Sequence, residues 1–317
     1  MRLSFKKLMT AGLVALGIGA VLFAVAFIAV GFDFNKLTGM EWEDKSFVES
    51  TEASVLNVDA DGTDVTLKYD KNADKISISY AEYTKRGDKV VKSFAITEAD
   101  GKLTVKENTN WLYHLQLWSS CNSEMTITIP EGRVLTLNIC ADDIDIIGNA
   151  TVGNLVIYTD NGDIDIHNAI TADNVTLITD NGDVTLRDTV TAADVALETD
   201  NGEIKINRGI TAKSLIIETD NGETELEGAF NIIGTFSIET DNGEVDAEDA
   251  IITASKILID SDNADVEMTL YGKASDYKTS VEIDNGKTNV KNNLSGEREL
   301  YIESDNGDVY VYFVGKS

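Results

Sequence analysis

The residues of this chain whose types and spacing could do chemistry are carboxylates, and they recur. In the stretch TDNGDIDI, from Thr159 to Ile166, an Asp-Asn-Gly-acid tetrad begins at Asp160; it returns at Asp180, Asp200, Asp220 and Asp241, and in weaker form at Asp262, Asp284 and Asp305. If equivalent acids stack on one another they lie about 4.8 Å apart, and each pair repels by roughly 1 kcal/mol in water. Calcium takes oxygen ligands and would relieve that repulsion. The candidate calcium ligands are therefore Asp160, Asp163, Asp180, Asp183, Asp200, Glu203, Asp220 and Glu223. Against calcium, the Gly-Gly-x-Gly-x-Asp signature of calcium solenoids is absent, as is an EF-hand loop. Diffuse screening by cations is the plainer electrostatic reading. The tetrad is first of all an architectural corner, in which Gly and Asn tolerate positive φ and Asp accepts hydrogen bonds from the turn's own backbone. The Thr or Ser before each tetrad can bond to its stacked neighbour.

The elements that must hold these acids follow from the spacing, which runs 20, 20, 20, 21, 21, 22 and 21 residues between successive tetrads. Such a period marks stacked coils. Before each corner, apolar residues alternate in columns such as Leu155, Val175, Val195, Leu215 and Ile157, Leu177, Leu197, Ile217. After it come Ile164, Val184, Ile204 and Ile166, Leu186, Ile206, while Ile170 and Ala172 or Val190 and Ala192 supply a short third inward face. These are period-two strands, and no helical period appears after Phe34. An Asn-Gly hairpin would set Asp160 opposite Asp163 and repeat that like-charge pairing in every copy. Stacked coils instead demand that each column suit its own kind. The expectation is an all-β protein, a β-solenoid of about nine coils over residues 133–317, in which Asp165 faces outward. Residues 45–132 hold irregularly spaced strands and read as an N-terminal β-sheet cap. Within them WLYHLQLW, Trp111 to Trp118, reads as a buried strand or as a binding patch of Trp111, Tyr113 and Trp118.

Composition sets the partners. Fifty-five acids against 26 bases leave a formal net charge of −29 and no basic face for nucleic acid. Cys121 and Cys140 are too few for a disulfide framework and suit one bridge between coils or two buried thiols. Arg2, Lys6 and Lys7 precede 25 uncharged residues from Leu8 to Phe32. As a helix these would cover about 37 Å, enough to cross a membrane core of about 30 Å. The expectation is a cytoplasmic stub at 1–7, a transmembrane helix at 8–34 and a C-terminal domain outside the cell, hence a single-pass protein of the cell membrane. A cleaved signal peptide ending near Ala24-Val25-Ala26 is the rival.

A basic N-terminus, the run GFDFNKL, the DADGTDVTL and KISISY strands, the TITIPEG lead-in and the TDNGDI coils together resemble a bacterial family known as "putative adhesin", of unknown function and mostly from Gram-positive bacteria. The resemblance covers nearly the whole chain. It implies a single-stranded right-handed β-helix head and a role in adhesion or in signalling of cell-envelope stress. It supplies no catalytic motif and no cofactor. The residues agree, since His114 and His167 stand far apart and no nucleophile, phosphate-loop or zinc-protease motif occurs. The functional expectation is a non-catalytic, anchored surface protein that presents an acidic solenoid, with a cell-wall glycan as ligand. The alternative is a stress sensor that binds a cationic peptide or a membrane signalling protein.

Overall fold

A computed structural model describes residues 19, 22–29, 40–85, 89–109 and 123–315. Two compact units divide the chain. The smaller draws on residues up to Lys45, Ala81–Phe94 and Asn108–Asn122; the larger takes Ser46–Tyr80, Ala95–Glu107 and the chain from Ser123 onward. In the smaller unit Tyr83 pairs antiparallel with Lys92, and Tyr83 and Val91 are buried together with Ala81 against them.

The larger unit is built by alternation. In the strand Asp194–Thr199, Val195, Leu197 and Thr199 are buried while Ala196 and Glu198 face outward. That strand pairs in parallel with Ile170–Thr179 on one side and Ile210–Thr219 on the other, so Leu197 lies between Leu177 and Ile217. Beyond the corner Ile204–Ile206 lies between Val184–Leu186 and Thr224–Leu226. A third short side stacks Ile170, Val190 and Ile210. Every coil therefore sets like residue over like residue in parallel ladders, which a hairpin meander cannot do. The apolar columns meet in one buried core.

The order of the layers differs from the order of the sequence at both ends. Lys256–Ser261 pairs with Arg298–Ser304, and the strand that comes between them in sequence, Tyr277–Ile283, lies on the far side of Arg298–Ser304. Near the N-terminus Val55–Ala60 lies between Thr136–Ala141 and Lys102–Thr109, and Asp64–Asp70 between Ile144–Ile147 and Glu124–Pro130. At the C-terminal end the last layer is thus laid down before the layer that separates it from the regular repeats, and at the N-terminal end it is laid down after it. Eleven layers result among the described residues, where the corner repeats alone suggest about nine.

Both terminal edges are partly covered, which removes a template for edge-to-edge pairing. Thr279 and Asn293 exchange backbone hydrogen bonds of 2.8 and 3.0 Å, and the Val281 N–H donates to Asn292 Oδ1 at 2.6 Å. At the other end Ser77–Tyr80 runs antiparallel along Met125–Thr128. Glu49, buried, ties this end together: its Oε1 accepts the Ile76 N–H at 2.9 Å and its Oε2 accepts Arg133 Nη2 at 3.1 Å.

The expected single-pass membrane location is corrected. Residues 19 and 22–29 are helical, and among the described residues no helix is long and apolar enough to cross a membrane.

Candidate functional site: acid ladders along the corner

The corner is assembled from three side-chain types. Thr159, Thr179, Thr199, Thr219 and Thr240 are buried, and each hydroxyl oxygen accepts the N–H of the glycine three residues on, at 3.0 to 3.1 Å. Thr179 and Thr199 also donate to the glycine carbonyl of the preceding coil, both at 3.0 Å. The asparagines form a continuous ladder, in which each Nδ2 donates to the Oδ1 of the asparagine one layer away. It runs through 161, 181, 201, 221, 242, 263, 306 and 285, at 2.9 to 3.1 Å. The expected positive φ is corrected: none of the corner glycines or asparagines has one. Glycine allows closeness at the regular corners, where a Cβ at Gly202 would lie 1.8 Å from the Gly182 carbonyl oxygen; the corner at Asp262 holds Ala264 in the same column.

This construction brings the acids into register. The first ladder is the Asp column, whose backbone carbonyls accept the N–H of the next layer's asparagine through Asp160, Asp180, Asp200, Asp220, Asp241, Asp262 and Asp305. The second follows the glycine. There Asp143 Oδ1 accepts the Asp163 N–H at 2.9 Å, Asp163 Oδ1 the Asp183 N–H at 2.8 Å, and Asp183 Oδ1 the Glu203 N–H at 2.7 Å. Asp265 and Asp308 repeat the arrangement. Asp163 and Asp183 therefore spend a carboxylate oxygen on the backbone, whereas Glu203 reaches toward Lys205 Nζ at 3.9 Å. The short corner of the 136–147 coil keeps its place in this ladder through Asp142 and Asp143, with the Asp142 N–H donating to the Thr63 carbonyl at 3.0 Å.

The third ladder was not singled out by the repeat. Glu198, Glu218, Glu239, Asp260, Glu303 and Glu282 face one another across successive parallel strands. No cation forms an ion pair with any of these six among the described residues. Partial burial, then the neighbouring Glu198 and Glu239, push the Glu218 carboxyl above its ordinary value. Partial burial, then Glu303 and Glu239, do the same to Asp260. In the second ladder Glu244 is raised by partial burial and by Glu223 and Asp265. Column identity was the available signal, but charge at alternate positions reads simply as a solvated face.

One outward column is not purely acidic. Asp145 and Asp165 face each other on neighbouring strands, and His167 Nε2 lies 2.7 Å from Asp145 Oδ1 and 3.7 Å from Asp165 Oδ2. Arg187 Nε donates to both Asp165 oxygens, at 2.7 and 2.9 Å. Asp165 thus faces outward between buried Ile164 and Ile166, as expected, but is half-buried and clamped there by Arg187. Cys140 carries a free thiol, raised above its ordinary value by partial burial and then by Asp61 and Asp59. Cys121, Trp111, Tyr113 and Trp118 lie outside the described residues.

Several solved structures are similar to this chain. A "putative adhesin" from Bacteroides fragilis is 13% identical, with 86% of this chain and 97% of that chain covered and a TM-score of 0.43. A "putative adhesin" from Parabacteroides distasonis is 12% identical, covering 85% and 97%, with a TM-score of 0.42. A "putative lipid binding protein" from Parabacteroides distasonis is 12% identical, covering 87% and 95%, with a TM-score of 0.37. No curated protein matches the chain. Residues 53–313 match the family described as Toastrack DUF4097, and the chain belongs to that family.

Proposed function

We propose that the chain is a non-catalytic binding protein whose corner edge takes up a polycationic ligand, such as a basic peptide segment of a partner. The supporting observation is the ladder from Glu198 to Glu282, whose carboxylates form no ion pair among the described residues, beside the two acid columns of the corner. Its carboxylates stand about 4.8 Å apart on a rigid parallel sheet. The long, flexible side chains of an extended lysine peptide can reach carboxylates at that spacing without the ladder having to move. The fixed field also draws a cationic partner in from solution. An enzyme would need one acid distinguished from its neighbours, and here the neighbours are copies.

The test is binding of a labelled ten-lysine peptide to the full chain by fluorescence anisotropy. The expected result is binding at low salt that fades at 1 M, where the Debye length is about 3 Å. Combining Glu198→Gln, Glu218→Gln and Glu239→Gln should weaken it at least tenfold. The control combination of Glu52→Gln, Asp74→Asn and Glu131→Gln, which removes the same charge elsewhere, should matter far less. Equal loss in the two triples, or binding that persists at 1 M salt, overturns the assignment.

A further inference from the structure

We propose that Asp145, Asp165 and His167 form a site for one divalent transition-metal ion of the zinc class, independent of the polycation edge. The three ligand atoms lie within 4.8 Å of one another. Parallel register places the two carboxylates on the same outer side of adjacent strands, and His167 follows two residues after Asp165 on that side. All three side chains are partly buried, at 35%, 44% and 20% exposure for His167, Asp145 and Asp165, so an ion can enter yet would be partly shielded from water. Zinc binds imidazole nitrogen and carboxylate oxygen at about 2.0–2.2 Å, and donors 2.7 and 3.7 Å apart close onto one ion with small side-chain rotations. One imidazole with two carboxylates selects a borderline ion over calcium, which takes an all-oxygen shell.

Among the described residues the group occurs once, which separates it from the repeating ladders. In the next coil the Asp165 column continues with Thr185, and the His167 column with Arg187. Arg187 has two opposed effects. Its bidentate grip fixes the Asp165 carboxylate in place, as supporting residues do around metal ligands. Its charge also repels an arriving cation. Without the ion, His167 Nε2–H donates to Asp145; with an ion on Nε2, the neutral imidazole would be the other tautomer, its single proton on Nδ1.

Calorimetric titration of the full chain with zinc tests the site. One zinc should bind per chain. His167→Ala and Asp145→Asn should each weaken it about tenfold or more, while folding, checked by circular dichroism, stays intact. Arg187→Gln should tighten it several-fold. Asp183→Asn in the second ladder and Cys140→Ser should leave it unchanged. Cobalt bound to the wild-type chain should show a visible absorption band that changes in His167→Ala, reporting the imidazole ligand. Absence of stoichiometric zinc binding overturns the proposal. So does zinc binding that survives His167→Ala or fails in Cys140→Ser, since the ion would then sit on the acid ladders or on thiolate.

Discussion

Gly202 has no room for a methyl group. A Cβ there would meet the Gly182 carbonyl oxygen at 1.8 Å, and those at Gly182 and Gly222 would meet their own neighbours at 1.8 and 1.6 Å. Gly132 is the opposite case, with φ at +81° and nothing within 4 Å of a built Cβ. Gly202→Ala should therefore force two layers apart and cost at least the 1–3 kcal/mol of an overpacked core, plus the adjoining Asn181–Asn201–Asn221 bonds. Gly132→Ala should cost only the roughly 1–2 kcal/mol of a left-handed alanine. At about 2–4 °C per kcal/mol, thermal melts of the two variants separate the causes. A larger loss for Gly132→Ala would mean that torsion, not closeness, fixes the corner. The tetrad was legible in the sequence, but a torsional need and a steric one both select glycine, so the reason was not. The asparagine ladder left a better signal, because the same amide in eight layers is what repeated amide-to-amide bonding requires.

At the scale of the strands, the layer order is the feature that the sequence hides. Period-two columns reveal that Lys256–Ser261, Tyr277–Ile283 and Arg298–Ser304 are strands with one apolar face. They cannot say which strand lies next to which, since the asparagines at 263, 285 and 306 would stack equally well in any order. The strands at 55–70 and 102–130 escape the repeat for a related reason: they join the same ladders but carry no Asp-Asn-Gly corner to count. The inserted order has a direct chemical test. With Cys121 and Cys140 changed to Ser, Asp260→Cys and Glu303→Cys should form a disulfide under mild oxidation. Their backbones pair in adjacent parallel strands, about 4.8 Å apart and within disulfide range. Asp260→Cys with Glu282→Cys should not link, because two layers separate them by about 10 Å. A sequentially wound solenoid predicts the reverse, read as a non-reducing gel shift or by mass spectrometry.

Over the whole molecule the charge of −29 was plain from composition, whereas the acids that crowd one another depend on register and only the fold reveals them. Glu218, Glu244 and Asp260, together with Asp64, which burial and then Asp143 act upon, all have carboxyls held above their ordinary values of 4.5 for Glu and 3.8 for Asp. In the window above those values the folded state holds more protons than the unfolded one, so stability falls as pH rises. Their ionised forms therefore oppose folding at pH 7, and the penalty is relieved as pH falls toward the ordinary values. Asp70 and Glu98 act in the other direction. The Asn72 backbone N–H holds the Asp70 carboxyl down and the Ser50 hydroxyl holds down that of Glu98, so their stabilisation is lost only below the ordinary range. The melting temperature should accordingly rise from pH 7 to about pH 5, then fall below about pH 4. Glu218→Gln should raise it at pH 7 and flatten the rise, and moderate salt at pH 7 should act in the same direction by screening the ladders. A melting temperature that falls steadily from pH 7 to pH 5 in wild type would show that hydrogen-bonded carboxylates, and not crowded ones, govern the charge balance of this fold.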